Sequence, residues 1–325
     1  MSYQKELTVA LDSVLKACGL CREVQNTLMD VEAVEKKDRS PVTIADLGSQ
    51  AVINNEIMKS FPNDSIVAEE ETDVLQNNSG LRRQVLELVK EKITSVTETV
   101  MMNAIDYGAE ATDFTKRYWT LDPIDGTKGF LRGEQYAIAL ALVEAGEVVL
   151  GVLGCPNLPL NMDNPDEGKG CLFYAVKGQG TFMKALKSDA EKRVFVDRFT
   201  DAKDACFCES VEKAHASHDE HAAIASKLGI TTSPFRIDSQ AKYAAVARGN
   251  ASIYLRLPRS RQYREKIWDH AAGVIVVTEA GGNVTDFSGK PLDFTVGNQL
   301  DNNEGILVTN GHLHNKVLEA IAKVI

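Results

Sequence analysis

Between residues 6 and 29 the apolar side chains Leu7, Leu11, Val14, Leu15 and Cys18 recur every three or four positions, the spacing that lines one face of an α-helix. A second helix is expected over residues 43–60, stopped before Pro62, and the two should pack as a pair. The period then shortens. Apolar runs at 65–68, 118–121, 136–143, 148–153 and 172–176 have the length and composition of strands. Residues 81–102 return to helical spacing but carry many charges, so they read as a surface insertion rather than a core element. Residues 163–170, rich in Asp, Asn, Pro and Gly, form a turn-rich loop.

After Gly178-Gln179-Gly180 the pattern restarts. Strands are expected at 193–196, 206–210, 252–257 and 306–309, and helices at 219–228, 240–248, 270–280 and 312–325. Gly281-Gly282 suits the stop of the third of these helices, because glycine adopts the left-handed cap conformation at no steric cost. Two α/β halves, residues 1–195 and 196–325, fit this pattern better than one doubly wound sheet.

Composition narrows the function. At 325 residues, with 44% hydrophobic and 25% charged residues, the chain can bury a large core and disorder is no explanation for it. No apolar run approaches the ~20 residues that cross a bilayer, and the start has no signal-peptide pattern, so a cytoplasmic protein without a membrane partner is expected. The net charge of −10 would repel a nucleic-acid polymer. A small phosphate ester escapes that objection, since it needs only a local positive site. The six cysteines are scattered, and Cys18-x-x-Cys21 sits in an apolar helical stretch with no second such pair, which favours core packing over zinc or redox chemistry.

The sharpest chemical signal is Asp122-Pro-Ile-Asp125-Gly-Thr127, where two carboxylates three apart end a strand and lead into a turn. A hard cation such as Mg²⁺ takes oxygen ligands, and a strand end can aim Asp122, Asp125 and the Ile124 carbonyl into one cleft. Gly126 admits a phosphate close to the backbone, the amides that follow can bind its oxygens, and Thr127 offers a hydroxyl to orient water. Asp, Pro and Gly are also ordinary turn residues. By average residue usage the pattern arises by chance in roughly one chain in a few hundred of this length.

Three further segments raise its weight. Glu69-Glu70-Glu71 follows the apolar run 65–68, and one of the three is a candidate third metal carboxylate, although a charge run is ordinarily a solvated face. Thr43-x-x-Asp46 reads as a helix start, with Thr43 as cap and Asp46 at the positive end of the dipole, or as a site where Asp46 helps bind metal or takes a proton from water. Asp269, in Trp268-Asp269-His270, opens an apolar helix. A two-metal phosphoryl-transfer site needs several carboxylates to balance its charge, and four acidic segments at the mouths of elements supply them. Arg256, Arg259, Arg261, Arg264 and Lys266 form a basic run in an acidic protein and suggest a local anion site, or else an exposed basic loop. No P-loop, dinucleotide fingerprint or Ser-His-Asp arrangement is evident.

Together these segments resemble the lithium-sensitive, magnesium-dependent phosphatases that include inositol monophosphatase and 3′(2′),5′-bisphosphate nucleotidase. The superfamily pattern lies in Glu69-Glu70, in Asp122 to Thr127 and in Trp268-Asp-His-Ala-Ala-Gly273; residues 40–46, 210–218, 238–243 and 254–258 resemble the nucleotidase branch. The resemblance spans nearly the whole chain and implies an α/β fold, a layered α-β-α-β-α sandwich of the inositol monophosphatase and fructose bisphosphatase type. It implies metal ligands Glu69, Asp122, Asp125, Asp269 and the Ile124 carbonyl for two or three Mg²⁺, and water activation by Asp46 and Thr127. For the substrate, a small phosphorylated nucleotide, it implies His215, Ser239, Lys242, Arg256 and Asp269, with His218 a rival to His215. It also implies inhibition by Li⁺ and possibly Na⁺.

The expected reaction is hydrolysis of the 3′-phosphate of adenosine 3′,5′-bisphosphate by a monomer, with 3′-phosphoadenosine 5′-phosphosulfate as a related substrate. An inositol mono- or bisphosphate is the alternative substrate. A non-catalytic sensor is the alternative class, against which the complete acid set argues.

Overall fold

The computed structural model describes residues 2–30, 40–107, 112–211, 218–258, 260 and 262–325. Helices α1 (Gln4–Asp30) and α2 (Ser40–Ser60) pack against each other, as their periodicity predicts. Because α2 begins at Ser40, Thr43 lies inside its first turn rather than at its cap, and Asp46 lies in its second. The short strand β1 (Ser65–Ala68) follows, then α3 (Asp73–Gln76), α4 (Ser79–Lys92) and α5 (Glu98–Ile105).

The charged stretch expected as a surface insertion is part of the core. Its single predicted helix is two, since Asn78 caps α4 by accepting from Leu81 N and Thr97 caps α5 by accepting from Val100 N. The charges occupy their outer faces, while Leu81, Val85, Val89 and Met101 are buried with α1 and α2.

Next come β2 (Arg117–Asp125), the short helix α6 (Thr127–Leu131), β3 (Ala137–Glu144), β4 (Glu147–Pro159), β5 (Lys169–Val176), β6 (Gly180–Ala185) and β7 (Glu191–Val194). With β1 they form a seven-stranded sheet in sequence order, parallel between β1 and β2 and antiparallel elsewhere. Strand β3 shows why its run is apolar throughout. Ile138, Leu140 and Leu142 face the core under α1 and α2, while Ala137, Ala139, Ala141 and Val143 face the opposite core, so both faces are buried.

The remaining elements are β8 (Phe207–Glu209), α7 (His218–Leu228), β9 (Phe235–Arg236), α8 (Ala241–Ala247), β10 (Ile253–Arg256), α9 (Ala271–Glu279), β11 (Asn283–Thr285), β12 (Ile306–Thr309) and α10 (His314–Ile321). Their strands make a second sheet, ordered β11-β12-β10-β8-β9, with β10, β8 and β9 parallel. Strands β6, β9 and β11 fall in stretches not predicted as strands.

Helices α8 and α9 lie between the two sheets, and α7 and α10 cover the outer face of the second. The layers are therefore α-β-α-β-α, the expected architecture. A Cβ on Gly273 would stand 2.3 Å from the Tyr243 ring, so glycine is what lets α9 lie against α8. Cys18 and Cys21 are fully buried among aliphatic side chains, as core residues. Among the described residues no helix is long and apolar enough to cross a membrane.

Candidate active site

Strands β1 and β2 run parallel, with Ala68 paired to Leu121, so Glu69 and Asp122 emerge side by side at their carboxyl ends. The next step depends on an irregularity. In an unbroken strand residues three apart face opposite sides, which would send Asp122 and Asp125 apart. The pairing of β2 with β3 shifts register between Asp122 and Asp125. This bulge buries Ile124 on the same side as Leu121 and returns Asp125 to the side of Asp122. With its side chain in the core, Ile124 meets the cleft through its backbone.

Helix α2 braces both acid segments from behind. The Gln50 side chain accepts from Glu70 N at 3.0 Å and donates to Glu70 O at 2.7 Å and to Ile105 O at 2.9 Å. Ser49 Oγ donates to Pro123 O at 3.2 Å, inside the bulge. Gly126 follows with φ of +89°, a left-handed conformation favouring glycine, and turns the chain so that Thr127 starts α6 on the cleft wall.

Asp122, Asp125 and Asp269 each bring a carboxylate oxygen within 4.8 Å of the others. Asp269 arrives from the second half, at the end of a 3₁₀ turn (Ile267–Asp269) that leads into α9. Burial, then the charges of Glu69, Asp125, Asp269 and Asp46, push the Asp122 carboxyl far above the usual carboxylate range. Burial and then Asp269, Glu70 and Asp125 push Glu69 up to about 8, against a hydrogen bond with Asp122. Asp125 is raised to about 6 by burial and Asp269, while Lys242, Arg256 and the backbone N–H of Gln240, at 2.5 Å, hold it down. Asp46 is 3% exposed and lies behind the cleft wall, its pKa raised strongly by burial and by Glu70 and Glu69.

The cleft, of about 280 Å³, continues from these acids to the second half, where Ser239, Lys242 and Arg256 line it. Ser239 has φ of +67° and accepts from Ala241 N at 3.1 Å, and Lys242 is buried in the first turn of α8. Burial lowers the Lys242 pKa against the pull of Asp125, and its ammonium sits 5.2 Å from the Tyr254 ring centroid. Arg256 Nε lies 3.1 Å from both Glu265 oxygens, and its Nη2 is 3.0 Å from Glu265 Oε2 and 3.6 Å from Asp269 Oδ2. Against the upward push of burial, His270 and Arg256 hold Glu265 at about 2.

The cleft thus collects Glu69, Asp122, Ile124, Asp125, Thr127, Ser239, Lys242, Arg256 and Asp269, with Asp46 behind them. Of the basic run, Arg256 and Lys266 line it, and Arg264 Nη1 donates to Tyr263 O at 3.1 Å. His215, Arg259 and Arg261 lie outside the described residues, as does the side chain of His218. Residues that sequence reasoning missed are Gln50, Gln240, Glu265 and His270. Gln240 donates to Trp268 O at 2.8 Å and accepts from Gly273 N at 3.2 Å, tying α8 to the start of α9. Glu265, an acid inside the basic run, carried the one available signal.

The residues fit a divalent cation. Asp122 Oδ1 is buried with no hydrogen-bond donor among the described residues, and so is Asp46 Oδ1. Like-charged carboxylates gathered this closely need a counter-charge of more than one unit, and oxygen-only donors match Mg²⁺ or a similar hard ion.

Comparison with known proteins points the same way. The model of the inositol monophosphatase family matches residues 2–325. A Schizosaccharomyces pombe protein named 3′(2′),5′-bisphosphate nucleotidase is 44% identical, over 100% of this chain and 97% of that protein. An Arabidopsis thaliana protein named 3′,5′-bisphosphate nucleotidase 2 is 45% identical over 100% and 98%. Among solved structures, inositol monophosphatase from Anabaena is similar with a TM-score of 0.65 at 23% identity, covering 100% of this chain and 98% of that one, a likeness of fold.

Proposed function

The chain belongs to the inositol monophosphatase family, a metal-dependent family, and we propose that it removes the 3′-phosphate of adenosine 3′,5′-bisphosphate to give AMP and phosphate. The observation that carries this reading is the polarity of one cleft, with a carboxylate triangle at one end and Lys242 and Arg256 at the other. A substrate with two phosphates matches it, the scissile one at the acids through metal and the second on the buried cations. The names of the full-length relatives support the same substrate class.

Glu69, Asp122, Asp125, Asp269 and the Ile124 carbonyl would hold two or three Mg²⁺. Bound there, the cations supply Lewis acidity that polarises the phosphoryl group and offsets its charge. Thr127, exposed at the start of α6, orients the attacking water. Asp46 is the base that takes its proton, since burial beside Glu69 and Glu70 raises its basicity. The P–O3′ bond breaks, and the ribose oxygen leaves with a proton taken from solvent water, which balances the one passed to Asp46. Ser239, Lys242 and Arg256, together with His215 and Asp269, hold the nucleotide.

Inhibition by Li⁺ and Na⁺, activity on 3′-phosphoadenosine 5′-phosphosulfate, two functional halves at 1–195 and 196–325, and a monomer working in the cytoplasm belong to the same proposal. Phosphate release from adenosine 3′,5′-bisphosphate and inositol 1,4-bisphosphate, measured side by side with Mg²⁺, with chelator and with Li⁺, tests it. Fast, chelator-sensitive release from the nucleotide is expected. Preference for the inositol ester would overturn the roles of Ser239, Lys242 and Arg256 and leave the metal ligands standing.

A further inference from the structure

We infer that Glu265 is a positioning residue, which keeps the Arg256 guanidinium off the carboxylate of Asp269 and presents it to the second phosphate of the substrate. This rests on the reading of Arg256 above. Arg256 stands between two acids and is closer to one of them. Its Nε and Nη2 lie 3.0–3.1 Å from Glu265, whereas Asp269 Oδ2 is 3.6 Å from Nη2, beyond hydrogen-bond range. Without the Glu265 charge, the nearest anion for this nearly buried guanidinium is Asp269, and closing that gap would set an arginine in competition with a cation for the same oxygen.

The frame around Glu265 is suited to holding it still. Leu300 N donates to Glu265 O at 2.9 Å and Ile267 N to Asn298 O at 3.2 Å, so a neighbouring segment holds the backbone at Glu265 and just beyond it. Its side chain is 6% exposed and meets His270 Nε2 at 3.3 Å. His270 Nδ1 is in turn 2.7 Å from the Tyr243 hydroxyl, and the Tyr243 ring is wedged against Gly273. The row Tyr243, His270, Glu265, Arg256 therefore joins α8, the start of α9 and the end of β10 behind the cleft wall. Glu265 and His270 each bring a ligand atom within 4.8 Å of an Asp269 oxygen, but of the four it is Arg256 that lines the cleft together with the metal-site acids.

The test compares wild type with Glu265→Gln, Arg256→Lys and the double variant. Steady-state rates on adenosine 3′,5′-bisphosphate and adenosine 3′-monophosphate are read across Mg²⁺ concentrations, together with the Mg²⁺-dependent rise in Tm. Glu265→Gln should raise KM for the bisphosphate about tenfold, the size of effect typical of residues supporting a ligand-binding group, with KM for the monophosphate unchanged. The Mg²⁺ concentration for half of the Tm rise should increase in the same variant. Arg256→Lys should raise KM for the bisphosphate, and adding Glu265→Gln to it should change little more, because the two act through one contact. Tyr243→Phe, which keeps the ring and removes only the hydroxyl, should raise the same KM about threefold, on the scale of one neutral hydrogen bond, and carries the test should Glu265→Gln fold poorly.

Additive effects in the double variant, or a lower Tm with unchanged KM and Mg²⁺ requirement, would overturn the positioning role alone. An Arg256→Lys variant with unchanged KM for the bisphosphate would overturn the reading of Arg256 and this inference with it.

Discussion

At the end of the cleft built by the first sheet, Asp122 keeps a buried oxygen with no donor among the described residues, and Glu69 and Asp125 are pushed up to about 8 and about 6. At the end built by the second half, Glu265 is drawn down to about 2, and Arg256 and His270 share its oxygens. Both ends bury charge, yet one is unfinished and the other neutralises itself. The unfinished end needs a partner of high positive charge, whereas the finished end has a cation ready for an anion from solution. The difference marks where a metal belongs and where a phosphate belongs.

The largest expected effect comes from Asp122→Asn. Phosphate release should fall about a thousandfold or more, as when a group acting directly on the transition state is lost, while the Tm of the chelated protein holds, because burial and the neighbouring acids keep the Asp122 carboxyl protonated there and the amide is its neutral counterpart. Equal turnover in the variant would remove Asp122 from the metal site.

A pH series on metal-free protein comes next. Glu69 and Asp125 are raised by burial and neighbouring acids, so their proton-linked stability is complete below pH ~4 and is lost as pH rises through about 6 and about 8. Tm in chelator should therefore fall between pH 5 and 8. The accompanying loss of stability is on the order of a few kcal/mol, since each proton bound only by the folded state contributes ~1.4 kcal/mol per pH unit. Saturating Mg²⁺ should flatten the profile. A flat profile in chelator would mean that the acids are already compensated.

Lys242→Met probes the other end. It should raise KM for the bisphosphate about 30-fold, equal to the ~2 kcal/mol of one charge-assisted hydrogen bond, with the Mg²⁺-dependent rise in Tm intact. Loss of that rise would erase the division between the two ends. The smallest effect is expected from Gln50→Leu, which unties Glu70 from α2. The Mg²⁺ requirement should increase about tenfold, as for other supports of metal ligands, with KM for the nucleotide unchanged at saturating Mg²⁺.

How much of this was legible beforehand varied with how local each feature was. The acids of the metal end were readable because each stands at the mouth of an element whose apolar pattern is itself local: Glu69 after residues 65–68, Asp122 near the end of β2, and Asp269 before α9. The two long helices and the buried Cys18 and Cys21 were readable for the same reason. Residues 81–102 misled because charge count was weighed above spacing, although Leu81, Val85 and Val89 kept the period that buries one face. Thr43 misled because a cap is defined by where the helix begins, and α2 begins three residues earlier.

By itself, then, the sequence determined which residue types are available and in which local element each sits, since periodicity and turn chemistry act over a few residues. Tertiary structure alone decided that a bulge turns Asp125 back beside Asp122, and that Gln50 reaches from α2 to fasten Glu70. It also placed Glu265 between a histidine and an arginine rather than in solvent. Those outcomes depend on the register of paired strands and on which faces are buried together, quantities fixed by contacts between residues far apart in the chain.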